Sequence, residues 1–197
     1  MLILASQSTT RKALLQQAGL RFSAEPAVLD ERQLEEASLA AGGDGRDVAL
    51  LLAQRKAMAV SALHPDAWVI GADQTLSLGT VLLHKPLSRQ DAEAQLDQLR
   101  GKTHRLHAGV ALARGGELIW SDLQSAELTM RAFTEAERDD VLDREGNDIL
   151  SSVGAYRLEG PSIRLFETVT GDYFTILGLP VLPLLAALRS FAPETLQ

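Results

Sequence analysis

The densest chemistry in this chain lies at residues 6–11. Ser6, Ser8, Thr9, Thr10 and Arg11 follow directly on an apolar run, Leu2-Ile3-Leu4-Ala5. They lead into a helical run over 11–18 that Gly19 closes. A strand that hands hydroxyls and an arginine to a helix start suits an anion. The first helical N–H groups lack intrahelical partners, and the macrodipole places partial positive charge there. Hydroxyls add donors, and a guanidinium can fork onto two phosphate oxygens. The plainer alternative makes Ser8 only the helix N-cap, the commoner use of serine at such a turn.

Asp73 follows a second apolar run, Trp68-Val69-Ile70-Gly71-Ala72. Ligands of open α/β folds gather at the carboxyl ends of strands, so a carboxylate there can hold a divalent cation or take a proton from water. A cap or turn aspartate is the equal alternative. Lysine is scarce: Lys12, Lys56, Lys85 and Lys102 stand against fifteen arginines. Lys85 precedes Pro86, which biases it to extended backbone, and its ammonium can reach a phosphate from there. Lys56 falls within a helical run. By residue type alone both read more simply as solvated charge. The four histidines, His64, His84, His104 and His107, show no i, i+4 metal pairing and read as structural or hydrogen-bonding groups. His104 and His107 lie three apart near a strand start, on opposite faces. The sequence has no Gly-x-Ser-x-Gly elbow, no Walker loop and no Gly-x-Gly-x-x-Gly.

The elements that must position these residues alternate at first between strand and helix. A second short strand is expected over 21–26, a weak acidic helix from residue 29, and a loop at Ala41-Gly42-Gly43-Asp44-Gly45. Asp47 is placed to cap a helix reaching Leu63, with Val48, Leu51, Leu52, Met58 and Ala59 at near-helical spacing. A strand over 68–72 and a returning strand over 81–83 precede a helix capped by Ser88 and running to Leu99. Residues 106–113 and 118–130 read as a hairpin joined at Gly115-Gly116. Thr134 with Glu137 forms a capping box for a helix to Arg144. Residues 147–171 read as irregular. A short helix over 174–177 and a C-terminal helix over 181–189, with Pro180 in its first turn, complete the pattern. Strand–helix alternation with a central hairpin predicts one α/β domain over 1–197, with a mixed sheet rather than a purely parallel one.

The chain has 197 residues, 46% of them apolar, and a net charge of −7. That acidity argues against binding nucleic acid, whose phosphate backbone demands a basic surface. No run approaches the roughly 18 apolar residues of a membrane span. The first apolar run lacks a basic flank and is too short for a signal peptide. Cysteine is absent, which excludes disulfides and thiolate metal sites. A cytoplasmic protein is expected.

Taken together these segments resemble the Maf family of nucleotide pyrophosphatases. The matching motifs run in order along almost the whole chain. They are Leu4-Ala5-Ser6-Gln7-Ser8 with Arg11, Asp30-Glu31, Lys56-Ala57, Gly71-Ala72-Asp73-Gln74, Lys85-Pro86, Leu99-Arg100-Gly101-Lys102-Thr103-His104, and Gly154-Ala155-Tyr156 onward to Glu159-Gly160 and the stretch 171–180. The resemblance implies an inosine-triphosphatase-like α/β fold, an elongated mixed sheet flanked by helices and a deep nucleotide-binding cleft. It implies hydrolysis of a nucleoside triphosphate to monophosphate and pyrophosphate, with Mg²⁺ or Mn²⁺, in a homodimer. By resemblance Asp73 is the base or metal anchor, Ser6, Ser8, Arg11, Lys56 and Lys85 cradle phosphates, and Glu31 assists the metal or the base.

Departures bear on the substrate. The thymidine- and uridine-triphosphate branch has Pro-Arg-Arg after the second serine, where this chain has Thr9-Thr10-Arg11. It has Asp-Thr at Asp73-Gln74 and Gln at Glu159. Gln74 and Leu158-Glu159-Gly160 resemble the 7-methyl-GTP branch, while Thr10 matches neither. The family's link to septum formation supplies the alternative expectation, a non-catalytic nucleotide-binding regulator of cell division.

Overall fold

The first apolar run becomes a central strand. β1 (Leu2–Leu4) is buried throughout and pairs in parallel with β2 (Ser23–Ala24) and with β3 (Trp68–Leu78). A strand covered on both faces needs such an unbroken apolar run. The computed structural model describes residues 1–196. Its sheet has seven strands in the order β2-β1-β3-β5-β6-β7, with β4 (Val81–Leu83) paired to β3. β5 (Thr103–Arg114) and β6 (Glu117–Met130) are the expected hairpin, and β7 (Phe166–Thr170) runs antiparallel to β6. Parallel and antiparallel pairs coexist, so the sheet is mixed, as the alternation of elements predicts.

Seven α-helices accompany the strands among the described residues: α1 (Thr9–Gln17), α2 (Glu31–Ala40), α3 (Gly45–Leu63), α4 (Arg89–Leu99), α5 (Glu135–Glu145), α6 (Tyr173–Ile176) and α7 (Val181–Phe191). Four sequence expectations need correction. β3 does not stop at Ala72 but runs on to Leu78, so Asp73 and Gln74 stand within the strand. α3 is capped by Asp44, and Asp47 is the reciprocal partner in its capping box. Pro180 is the N-cap of α7 rather than a first-turn residue. Residues 166–170, read as irregular, form β7. Four of its five residues are exposed, so it shows no apolar stripe for a sequence pattern to detect.

The chain forms two compact units. The first contains Met1–Gln74, His107–Ser125 and residues 172–196; the second contains Thr75–Leu106 and Ala126–Gly171. In the first, strand alternation sorts side chains to two faces. Leu2, Leu4, Trp68, Ile70 and Ala72 join a core with Leu14 and Leu15 of α1 and Leu184 and Leu188 of α7. Ile3, Ala5 and Val69 pack with Val60 of α3 on the other face. In the second unit, the His104, Tyr156 and Phe166 rings pack together, with His104 Nε2 2.8 Å from the Tyr156 hydroxyl. Gly154 is obligatory there. Its φ is +78°, and a Cβ would lie 2.4 Å from Leu76 Cδ1, which accounts for the glycine of Gly154-Ala155-Tyr156. No described helix is long and apolar enough to cross a membrane.

Candidate active site

The site begins with how closely α3 approaches the sheet. Ala49, Ala53 and Ala57 recur every four residues along that helix and face two glycines. A Cβ on Gly71 would lie 2.1 Å from the Ala53 carbonyl oxygen, and one on Gly109 2.4 Å from that of Ala49. Small residues on both sides therefore bring helix and strand backbones together. Lys56 falls in the same buried stripe, Leu52-Lys56-Val60, and is only 8% exposed. The simple reading of Lys56 as a solvated helix charge fails. The signal was present, because i, i+4 spacing places it between two core residues.

Alternation along β3 does the rest. Val69, Gly71 and Asp73 face α3, so Asp73 meets Lys56: the ammonium Nζ lies 2.6 Å from Asp73 Oδ1. Glu31, the first residue of α2, reaches the same nitrogen at 2.9 Å. Its neighbour Asp30 caps α2 by accepting from the Gln33 N–H at 3.0 Å. Of the Asp30-Glu31 pair, one carboxylate thus serves the helix and the other the lysine.

Gln74 faces the opposite way. Its side-chain amide donates to the carbonyls of Thr175 and Ile176 at 3.1 and 2.9 Å. Arg11 binds the same segment, with Nε donating to the Gly178 carbonyl at 2.8 Å and Nη1 to the Ala72 carbonyl at 3.0 Å. Gly178, at φ +88°, leaves room for both side chains: a Cβ there would meet Gln74 at 3.3 Å and Arg11 at 3.5 Å. Burial lowers the Arg11 pKa, and the negative charges of Asp73 and Glu31 oppose that shift. Residues 172–178 contribute through backbone carbonyls, so nothing in their side-chain types announced this role.

Ser8 is the N-cap of α1, its Oγ accepting from the Arg11 N–H at 3.3 Å. Ser6 Oγ accepts from the Ser8 N–H at 3.2 Å and from Arg11 Nη1 at 3.4 Å. Thr10 sits half-buried in the first turn of α1. The first unit thus brings together Ser6, Ser8, Arg11, Glu31, Lys56, Asp73 and Gln74, with Thr10 next to Arg11 along α1. The other two residues expected in the site, Lys85 and Glu159, belong to the second unit. Lys85 is exposed just after β4, before the buried Pro86, and Glu159 is exposed on the loop between Arg157 and Ser162.

The cluster is a balanced one, with Arg11 and Lys56 set against Asp73 and Glu31. Among the described residues, no group of three or more His, Asp or Glu side chains gathers in a metal-holding arrangement. Asp73 and Glu31 are the side chains here that could hold a divalent ion; both also bind Lys56, so such an ion would take the rest of its shell from phosphate oxygens and water.

A family model described as Maf-like protein matches residues 1–191. A nucleoside triphosphate pyrophosphatase of Bradyrhizobium diazoefficiens is 54% identical over 189 residues, covering 96% of this chain and 93% of that protein. A 7-methyl-GTP pyrophosphatase of Brucella abortus is 50% identical over 188 residues, 95% of this chain and 94% of that one. Another 7-methyl-GTP pyrophosphatase, from Rhizobium meliloti, is 49% identical over 189 residues, 96% and 95% of the two chains. Among solved structures, a HAM1 protein from Coxiella burnetii aligns with a TM-score of 0.41 at 14% identity, over 67% of this chain and 73% of that one. With motifs, family model and near full-length relatives in agreement, this chain belongs to the Maf-like protein family.

Proposed function

We propose that this protein is a nucleoside triphosphate pyrophosphatase with 7-methyl-GTP as its preferred substrate. The observation that carries the reading is end-to-end identity of about half the residues with relatives bearing those two activities in their names. Water attacks the α-phosphorus, the bond to the β-phosphate bridging oxygen breaks, and monophosphate and pyrophosphate leave.

Asp73 takes the proton from the attacking water, and Lys56 orients its carboxylate through the 2.6 Å contact. Ser6 and Ser8 present hydroxyls to phosphate oxygens at the start of α1. A guanidinium has five N–H donors. Those given by Arg11 to Gly178, Ala72 and Ser6 hold the group in place for a phosphate oxygen. Lys85 keeps the phosphate-binding role that family resemblance gives it. Asp73 and Glu31 would hold Mg²⁺ or Mn²⁺, which when bound supplies neutralisation of phosphate charge. The charge balance supports this reading: with Arg11 and Lys56 already matched by Asp73 and Glu31, one further lysine falls well short of the negative charge of a triphosphate. Glu159 selects the base, since a carboxylate accepts from the guanine N1–H and 2-amino groups. Methylation at N7 adds a positive charge that favours an acidic partner. The same reading includes a cytoplasmic homodimer.

The test is pyrophosphate release from 7-methyl-GTP, GTP, UTP, TTP and ITP with Mg²⁺ or Mn²⁺. Fastest turnover of 7-methyl-GTP is expected. Release from none of them overturns the enzyme reading, and equal release from all overturns the base preference.

A further inference from the structure

Glu145 is the last residue of α5, and its side chain is fully buried. A carboxylate is out of place there. The C-terminal end of a helix carries partial negative charge, and burial strips the group of water. Its partners explain why it persists. Glu145 Oε2 accepts from Arg157 Nε at 2.8 Å, while Oε1 accepts from the Ser162 N–H at 3.0 Å and from Ser162 Oγ at 2.6 Å. Arg157 is held further by Asp148 Oδ2, 3.0 Å from its Nη1. Gly160 packs against the same carboxylate so closely that a Cβ would lie 2.5 Å from Oε1. Between Arg157 and Ser162 the backbone folds into a turn, with the Gly160 N–H donating to the Arg157 carbonyl at 3.1 Å. Exposed Glu159 stands on that turn.

We infer that Glu145 is a positioning residue for substrate choice: one buried carboxylate ties both ends of the loop that presents Glu159. This rests on the base-selecting role proposed above for Glu159. Three charge-assisted bonds and one glycine contact fix a short loop from behind, so the shape of the loop does not depend on a substrate to order it. Releasing the carboxylate frees the loop while leaving Glu159 itself unchanged. Glu145 therefore acts on the choice between bases rather than on the cleavage step.

The experiment is a double-mutant cycle read as the ratio of kcat/KM for 7-methyl-GTP over GTP. Variants are Glu145→Gln, Glu145→Ala, Ser162→Ala, Glu159→Ala and Glu145→Ala/Glu159→Ala, each checked by circular dichroism and thermal melting. The ratio is expected to fall about tenfold in Glu145→Ala, the scale of one charged hydrogen bond. Glu145→Gln, which still accepts from Ser162, recovers part of it, and the double variant falls no further than Glu159→Ala. Should Glu145→Ala not fold, Glu145→Gln and Ser162→Ala are expected to lower the ratio by a few fold. A folded Glu145 or Ser162 variant with an unchanged ratio, or losses that multiply in the double variant, overturns the inference while Glu159→Ala still shifts the ratio. An unchanged ratio in Glu159→Ala overturns instead the role of Glu159, and the inference falls with it.

Discussion

Lys56 and Asp73 form an ion pair of 2.6 Å from the middle of a helix to the middle of a strand, and neither side chain is more than 13% exposed. Their contact depends on backbones that approach at Gly71, and on Glu31 supplying a second acceptor to the same ammonium at 2.9 Å. Each of these relationships makes a prediction.

Asp73→Asn keeps the shape of the carboxylate but removes the base proposed above. Turnover is expected to fall by at least about 10²–10³, the scale of losing one preorganised charged group. Stability drops by about 1–3 kcal/mol, because Lys56 remains buried with Glu31 alone. Pyrophosphate release and urea denaturation check the two parts. Wild-type turnover would remove Asp73 from the mechanism.

Gln74→Thr places the other branch's residue on β3. A threonine hydroxyl has one donor and cannot replace an amide that serves two carbonyls. The Thr175 and Ile176 carbonyls lose their bonds from Gln74, with an expected cost of about 1–3 kcal/mol in urea denaturation. The proposed preference for 7-methyl-GTP is expected to weaken through the displaced 172–178 segment. Unaltered stability would show that the segment does not depend on Gln74.

Gly71→Val tests the close approach of α3 to the sheet. A Cβ there would sit 2.1 Å from the Ala53 carbonyl, so helix and strand must separate. A loss of about 1–3 kcal/mol or more is expected. Turnover should fall as well, since Lys56 moves off Asp73. Activity measured on folded protein below the melting temperature separates the two effects.

Acid stability is predicted from His104, which is 1% exposed and whose pKa burial pushes down to about 4. The unfolded chain takes up its proton near pH 6.5, while the folded one waits until about pH 4. Over that window the unfolded state binds more protons, so stability falls as pH drops from 6.5 towards 4 and levels off below. The shift corresponds to roughly 3 kcal/mol at most. Melting temperatures between pH 4 and 7 should show this slope in the natural protein and a shallower one in His104→Gln. Parallel slopes would assign the acid sensitivity to other groups.

Much of this protein was legible along the chain, because local chemistry is written in adjacent residues. The capping serine of α1, the Thr134–Glu137 capping box, the hairpin turning at Gly115-Gly116 and the ordered motifs all depend on neighbours a few positions apart. Even the histidines read correctly as structural in the case of His104, whose Nε2 pairs with the Tyr156 hydroxyl. Other features are set by partners far away in sequence. Lys56 is a buried ion-pair partner rather than a surface charge because Gly71 and Gly109 admit the helix. Asp73 is a mid-strand residue because β3 continues through pairing with β4. Arg11, which its type assigned to phosphate alone, binds the carbonyls of Ala72 and Gly178. β7 exists because β6 offers it an edge, not because its own exposed residues favour a strand. The sequence determined which groups were available, since residue types and short spacings are local properties. Tertiary structure decided which of them share a proton-sized distance, since backbone carbonyls, close approach and burial are defined only once distant segments pack.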